Sequence, residues 1–433
     1  MAAGEIPSRA EIASRQLELL RSLVAELFPG NCFYTRKLQD AGITFDVASL
    51  DDFSRRFPFT TKRELVHDQL AHPPYGTVLT YSANQYTRLH QTSGTTGAPL
   101  RWLDTPESWD AMVECWGDVL HAADVTARDR ILFAFSFGPF IGFWLAFEAA
   151  TRVGALCLSG GGLGSEARLR MLLDNEVTVL CCTPTYALRL AEVAAAERLD
   201  LRRSRVRRII VAGEPGGSVP SVRQHIESRW PGARVFDHHG LTEVGPVTHE
   251  CPARPGVLHV METACLAEVI DPISGRPAPA GEMGELVLTT LARVGSPLLR
   301  YRTGDLVKAE VRGERPCSCG RHELALLGGI VGRADDMVVV RGVNVYPSAV
   351  DALLRAHADV AEYRVHLRTG QGLADLEISI EPEAGCPDPV ALARRIRNDF
   401  DTAMALRVTV TPVPVGTLPR FEMKAQRWIR SDS

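Results

Sequence analysis

The densest run of chemistry-bearing residues is Thr92-Ser93-Gly94-Thr95-Thr96-Gly97-Ala98-Pro99. Two glycines let a backbone wrap tightly and four hydroxyls add donors, a combination suited to phosphate oxygens. The run lacks the Gly-Lys-[Ser/Thr] ending of a Walker A loop. Further along come Gly213-Glu214-Pro215, Asp237-His238-His239-Gly240-Leu241-Thr242-Glu243, Tyr301-Arg302-Thr303-Gly304-Asp305, Gly332-Arg333-Ala334-Asp335-Asp336 and Arg341-Gly342-Val343-Asn344-Val345-Tyr346-Pro347. Lysine occurs only at Lys37, Lys62, Lys308 and Lys424 among 48 basic residues, a bias expected of a GC-rich coding sequence. That scarcity draws attention to Lys424, in Phe421-Glu422-Met423-Lys424-Ala425-Gln426-Arg427. No Gly-x-Ser-x-Gly elbow is present, so a Ser/His/Asp or Cys/His hydrolase is unsupported.

These residues need elements to hold them. Ser8 and Glu11 have capping-box spacing, and Ile12, Leu20, Leu23, Val24 and Leu27 recur at helical period before Pro29-Gly30. From about residue 80 to 330, short β-rich runs (Ile131–Phe137, Val177–Cys182, Val206–Val211) alternate with helical ones such as Pro184–Glu197. The pattern predicts a large α/β domain with mainly parallel sheets, helices covering both faces. Beyond Gly332 the order is strand (Met337–Arg341), helix (Pro347–Ala356), two strands (Ala361–Leu367, Ala374–Ile380), helix (Pro389–Ala403) and strand (Leu406–Thr411). That is a small α+β domain, with a boundary near Gly332–Asp336 that divides the chain into 1–334 and 335–433.

With 433 residues, 45% of them hydrophobic and 23% charged, the chain has the profile of a soluble globular protein of two or more domains. A net charge of −4 gives no global basic field for nucleic acid or anionic membrane. The longest apolar run, Ile131–Ala150, is broken by Ser136, Gly138, Pro139, Gly142 and Glu148 and is not a membrane span. The opening Met1-Ala-Ala-Gly-Glu lacks a basic and apolar leader pattern, so a cytoplasmic setting is expected. There, ten cysteines suggest buried small side chains plus a metal site, not a disulfide framework.

In this order and at these separations, the motifs resemble the adenylate-forming superfamily of acyl- and aryl-CoA synthetases, and specifically its phenylacetate–CoA ligase branch. The resemblance implies ATP-dependent activation of an aromatic carboxylic acid to an aryl-AMP, followed by thioester formation with coenzyme A. It implies that Ser93, Gly94, Thr95, Thr96 and Gly97 hold the ATP phosphates and that Glu243 binds Mg²⁺, a hard cation suited to a carboxylate. Gly213, Glu214, Pro215, Asp237, His239, Gly240 and Thr242 would surround the nucleotide, with His239 standing where the family usually has tyrosine. Asp305 would take the ribose hydroxyls, with Arg333 nearby. Asp335 would be the hinge, and Arg341 and Gly342 would face coenzyme A once the small domain rotates. Lys424 would be the catalytic cation, since two anions meet as the carboxylate attacks the α-phosphate. The resemblance leaves a homodimer open. An acceptor other than free coenzyme A (a carrier-protein thiol or an amine) is the nearest rival reading, and a catalytically silent nucleotide- or acyl-binding protein is the rival of another class.

Cys317-Ser318-Cys319, together with Cys251 and His259, makes a Cys₃His set, the composition of a closed structural zinc site. Some members of the branch carry such a metal. The remaining cysteines, Cys157, Cys181 and Cys182 among them, sit in apolar runs and are expected in the core. The aromatic-rich run Phe133–Trp144 would line the acyl pocket, with Phe137 and Phe140 foremost, together with Gly213, His238, Gly240 and Pro246. His238 could hydrogen-bond a ring hydroxyl or amino group, which makes a hydroxy- or aminobenzoate a plausible substrate alongside phenylacetate; a satisfied core histidine is the competing reading.

Overall fold

The computed structural model of the chain describes residues 6–28, 30–92, 99–310, 315–341, 343–369, 374–421 and 425–432. The opening helix, Arg9–Leu27, starts on the expected Ser8–Glu11 capping box. Its apolar stripe is buried, and so is Gln16 on the same face. The Gln16 amide donates to the carbonyls of Glu262 and Cys265 at 3.1 and 3.0 Å. A buried amide without partners would cost stability, so this helix sits in one register against the sheet behind it.

Five parallel strands form the next layer, in the order Leu156–Ser159, Arg130–Phe133, Val179–Cys182, Arg208–Val211, Arg234–Asp237. Successive residues point to opposite cores. Ile131, Phe133, Val179, Cys181, Ile210 and Phe236 enter one cluster. Leu132, Leu180, Cys182, Ile209, Val211 and Val235 enter the other. Burial on both faces explains the continuous apolar runs, and helices Trp144–Val153, Ser165–Asp174, Pro184–Ala196 and Pro220–Arg229 supply the crossovers. The strand order reverses at Arg130–Phe133, which opens a crevice at the carboxyl ends of the strands, where ligands of such sheets bind.

Parallel pairing, expected as far as about residue 330, ends at Asp237. The following strands form a six-stranded antiparallel sheet in the order Thr248–Cys251, Arg254–Val260, Ala325–Arg333, Tyr301–Ala309, Met283–Thr290, Cys265–Ile270. No helix separates them among the described residues, and a parallel connection needs a crossover of a dozen or more residues.

The small unit is a four-stranded sheet, Thr409–Pro412, Asp375–Pro382, Val360–Thr369 and Trp428–Asp432, packed with helices Pro347–Arg355 and Pro389–Met404 around its own core. Two details depart from expectation. The strand expected at 337–341 is a hairpin of Val338–Val340 with Val343–Val345, and Arg341 enters its turn at φ +51°. The edge strand Trp428–Asp432, parallel to Val360–Thr369, was not anticipated. Among the described residues no helix is long and apolar enough to cross a membrane.

One buried ion pair ties the large unit together. Arg293 Nε and Nη2 reach Asp104 Oδ1 and Oδ2 at 2.6 and 2.7 Å, while Nη1 donates to the Thr242 carbonyl at 2.8 Å. Both side chains are fully enclosed. Removing one partner would strand the other charge, so Asp104→Ala should destabilise the large unit by about 3–5 kcal/mol. The check is a lower denaturant midpoint for its unfolding transition; an unshifted midpoint would contradict this account.

Candidate active site

The sequence motifs converge on the carboxyl edge of the parallel sheet. Strand Arg208–Val211 runs into Gly213, at φ +94°, and Glu214. Glu214 Oε1 accepts from the backbone N–H of Thr185, in the first turn of helix Pro184–Ala196, at 2.8 Å. Its other oxygen accepts from the N–H of Ala425 at 3.2 Å, from the far end of the chain. The loop then passes so close to Asp237 that a Cβ on Gly217 would lie 2.4 Å from the Asp237 carboxylate. Asp237 is buried, accepts from Ser218 Oγ at 2.6 Å and from the His238 N–H at 3.0 Å, and so fastens this loop to the sheet. Burial raises its carboxyl above the ordinary value.

His238 and His239 leave the next strand toward different surroundings. The His238 ring packs on Trp116, centroids 4.3 Å apart, and its Nδ1 lies 2.5 Å from the Thr248 carbonyl. A carbonyl only accepts, so Nδ1 carries the proton and Nε2 keeps its lone pair. Burial pushes the His238 pKa down to about 3, and the ring stays neutral. His239 Nε2 instead stands 3.0 Å from Asp305 Oδ2. Both atoms are buried, and neither has an aligned hydrogen bond among the described residues.

Asp305 shares its other oxygen with Arg333 Nη1 at 2.9 Å. Burial alone would raise the Asp305 carboxyl, but His239 and Arg333 outweigh it and hold the group below the usual carboxylate range. Arg333 also clasps Asp335 through Nε and Nη2, at 2.9 and 3.0 Å. Gly304, at φ +76°, makes room for this guanidinium, since a Cβ there would lie 2.9 Å from Arg333 Nη2. At the start of the strand that carries Gly304 and Asp305, burial and the Glu243 carboxylate hold the Tyr301 phenol well above its ordinary value, so it stays protonated and donates to Glu243 Oε1 at 2.7 Å.

Beyond the histidines lies an aromatic cluster. Phe137 meets Phe135 at 4.3 Å, Trp144 at 4.9 Å and Phe147 at 5.6 Å, and Phe135 meets Phe143 at 5.1 Å. Phe140 is half-buried and has no ring partner among the described residues. Pro246 is buried and pairs with Gly240, whose Cβ position lies 2.8 Å from the Gly245 carbonyl. Thr242 contributes its carbonyl to Arg293. Arg341 pairs with Asp375 Oδ2 at 2.7 Å, within the small unit. Ser93 to Gly97, Gly342 and Lys424 lie outside the described residues.

At the far end of the antiparallel sheet, Cys251, His259, Cys317 and Cys319 converge, their ligand atoms all within 4.8 Å of one another. Cys251 Sγ is 3.7 Å from Cys317 Sγ, and Cys319 Sγ is 3.4 Å from His259 Nε2. Two residues on a hairpin and two on the loop before Ala325–Arg333 thus meet, although about sixty positions separate them in the chain.

Three contributors escaped the sequence reading. Trp116 lies on the buried stripe of helix Pro106–Ala122, where it is indistinguishable from core. Tyr301 belongs to the Tyr301–Asp305 motif, but its type alone names no role. The Glu214–Ala425 bond joins positions too far apart for any local signal.

Comparison with known proteins agrees with this geometry. Residues 64–291 match the family model described as AMP-binding enzyme, and residues 342–431 match the AMP-binding enzyme C-terminal domain. The chain therefore belongs to the AMP-binding enzymes, the adenylate-forming superfamily, and within it to the phenylacetate–CoA ligase branch. It is 31% identical to the phenylacetate-coenzyme A ligase of Thermus thermophilus, over 96% of this chain and 95% of that protein. It is 29% identical to the Pseudomonas putida enzyme of the same name, over 97% and 94%. Among solved structures, 2-hydroxyisobutyryl-CoA ligase in its postadenylation state superposes with a TM-score of 0.92 at 29% identity, covering 99% of this chain and 91% of that one. The same enzyme in its thioesterification state, with the same coverage and 30% identity, gives 0.73.

The neutral, buried His238 has a consequence for acid stability. Unfolded, it takes up a proton near pH 6.5; folded, only near 3. Between those values the unfolded state binds more protons, so stability falls as pH drops from about 6.5 toward 3, by up to ~1.4 kcal/mol per pH unit for this one group. His238→Asn should remove that share of the slope, checked by denaturant titrations at stepped pH; an unchanged slope would contradict a neutral folded His238.

Proposed function

We propose that the chain activates a carboxylic acid with ATP and transfers the acyl group to coenzyme A, releasing pyrophosphate and AMP. The observation that carries this reading is the pair Asp305 Oδ2 and His239 Nε2, buried and unsatisfied beside Glu243 at the carboxyl edge of the sheet. Buried polar atoms are normally partnered, so this pair suits a ligand rich in hydroxyls and ring nitrogens. Asp305 would accept from the ribose hydroxyls, and Arg333 keeps that carboxylate ionised for the task. Gly213, Glu214 and Pro215 would bound the adenine together with His239. Magnesium bound at Glu243 would neutralise charge on the ATP phosphates. Tyr301 orients Glu243 for that role through its hydrogen bond.

In the first step an oxygen of the acid attacks the α-phosphorus and pyrophosphate leaves. In the second the coenzyme A sulfur attacks the acyl carbonyl and AMP leaves. Lys424 would meet the charge developing at the α-phosphate. Support for that role comes from its neighbour Ala425, which is tied to Glu214 at this edge. The likeness to a postadenylation structure supports reading the present arrangement as the one for acid activation, with 335–433 as the unit that turns about Asp335.

The proposed acid is aromatic, phenylacetate or a hydroxy- or aminobenzoate. The ring cluster around Phe137 offers flat apolar surface, and the His238 lone pair at Nε2 would accept from a ring hydroxyl or amino group. A pyrophosphate-release screen over these acids and 2-hydroxyisobutyrate, with and without coenzyme A, tests the reading. The aryl acids should lead, and thioester should form with free coenzyme A. Lys424→Ala should lower acid-dependent ATP–pyrophosphate exchange by about 10²-fold or more; unchanged exchange would remove the mechanism.

We also propose that Cys251, His259, Cys317 and Cys319 hold a structural zinc. Three thiolates and an imidazole fill a tetrahedral zinc site without an open position, so its role would be to pin the loop before residue 325. Elemental analysis of the purified protein should find one zinc per chain, lowered by Cys317→Ser; a metal-free parent protein would sink the proposal.

A further inference from the structure

The small unit meets the large one through a short row of polar contacts. Arg229, in the last turn of helix Pro220–Arg229, pairs with Glu383. Ser221 Oγ donates to the Ala352 carbonyl at 3.1 Å. Glu192, on helix Pro184–Ala196, accepts from Arg420 Nε at 3.1 Å. Glu214 accepts from the Ala425 N–H at 3.2 Å.

The segment between Arg420 and Arg427 is fixed to its own unit at both ends. Glu381, itself fully buried, takes Arg420 Nη2 at 2.6 Å, and Glu362 takes Arg427 Nε at 2.7 Å. Arg420 and Ala425 in turn reach Glu192 and Glu214 of the large unit. Both residues are thus held from the small unit's side and meet a carboxylate of the large one.

We propose that Glu192 and Arg229 are positioning residues for acid activation alone: they hold the small unit, and with it Ala425, against the nucleotide edge, and thioester formation does not need them. The proposal rests on the ligase reading above. Arg229 and Glu383 are 35% and 28% exposed and Arg420 and Glu192 21% and 26%, so each pair is weak and screenable, as a contact that must be broken in every cycle has to be.

Arg229 and Glu383 touch neither nucleotide nor acid site, so they make the clean test. Full-length R229E, E383R and the double swap R229E/E383R are compared in two assays with the acid most active in the parent protein. One is acid-dependent ATP–pyrophosphate exchange; the other is thioester formation from the synthetic acyl adenylate and coenzyme A. Each single variant should lose about two- to fivefold in exchange while thioester formation holds or rises, and the double swap should recover exchange. E192Q should show the same split. Equal losses in both assays, unchanged exchange in the single variants, or a double swap that recovers nothing would each overturn the proposal. A parent protein without exchange on any acid would instead defeat the ligase reading itself, and the proposal with it.

Discussion

Arg333 stands where the chain leaves the last strand of the large unit, and its one guanidinium is divided between two carboxylates. Asp305 takes Nη1 in the interior, and Asp335 takes Nε and Nη2 at the surface. A guanidinium is planar and permanently charged, so it can serve both partners only if all three lie nearly coplanar and close. Much follows from that requirement. Gly304 has to be free of a side chain, the strands Tyr301–Ala309 and Ala325–Arg333 have to pair in the register Asp305↔Arg333, and the exit toward the small unit is aimed by the same group that, with His239, holds the Asp305 carboxyl below its ordinary range. The proposed nucleotide edge and the proposed hinge therefore share a side chain.

The other constraint is the geometry of the parallel sheet. Its strands are buried on both faces, so only their carboxyl ends are free to present chemistry, and Arg208–Val211 and Arg234–Asp237 run directly into the Gly213–Pro215 and Asp237–Glu243 motifs. The antiparallel sheet contributes from the side, through Tyr301, Asp305 and the hairpin that carries Thr248. This is why residues from 213 to 333 meet at one edge although no two of the motifs are close in sequence. The buried Arg293–Asp104 pair ties strand Arg101–Asp104 to the chain beyond Met283–Thr290, and its third nitrogen binds the Thr242 carbonyl one residue before Glu243.

Much of the site was legible because its residue types answer local needs. Glycine at 213 and 304 answers a positive φ, the Ser8–Glu11 box answers an open helix end, and a Cys-x-Cys with a distant Cys and His has the composition of the cluster that forms. What stayed hidden depends on partners far along the chain. His238 reads as either a ligand-binding or a core histidine until Trp116 and the Thr248 carbonyl set its tautomer. The strand Trp428–Asp432 is short and polar at its end, and only its neighbour Val360–Thr369 makes it a strand. Parallel and antiparallel strands look alike one at a time, and among the described residues from 240 to 333 only the lack of crossover helices distinguishes them.

The sequence by itself determined the order of motifs, the division into a large α/β unit and a small α+β one, and the membership of the Cys₃His cluster, because each rests on residue type and spacing. Tertiary structure alone decided which carboxylates are engaged and which face a ligand. It made Asp237 a fastener of the loop and left Asp305 with an unsatisfied oxygen. It also decided that Glu214 reaches across to Ala425. Aspartate and glutamate bring the same carboxyl chemistry wherever they occur; burial and the partners within hydrogen-bond reach give each its protonation and its work, and those are properties of the folded chain.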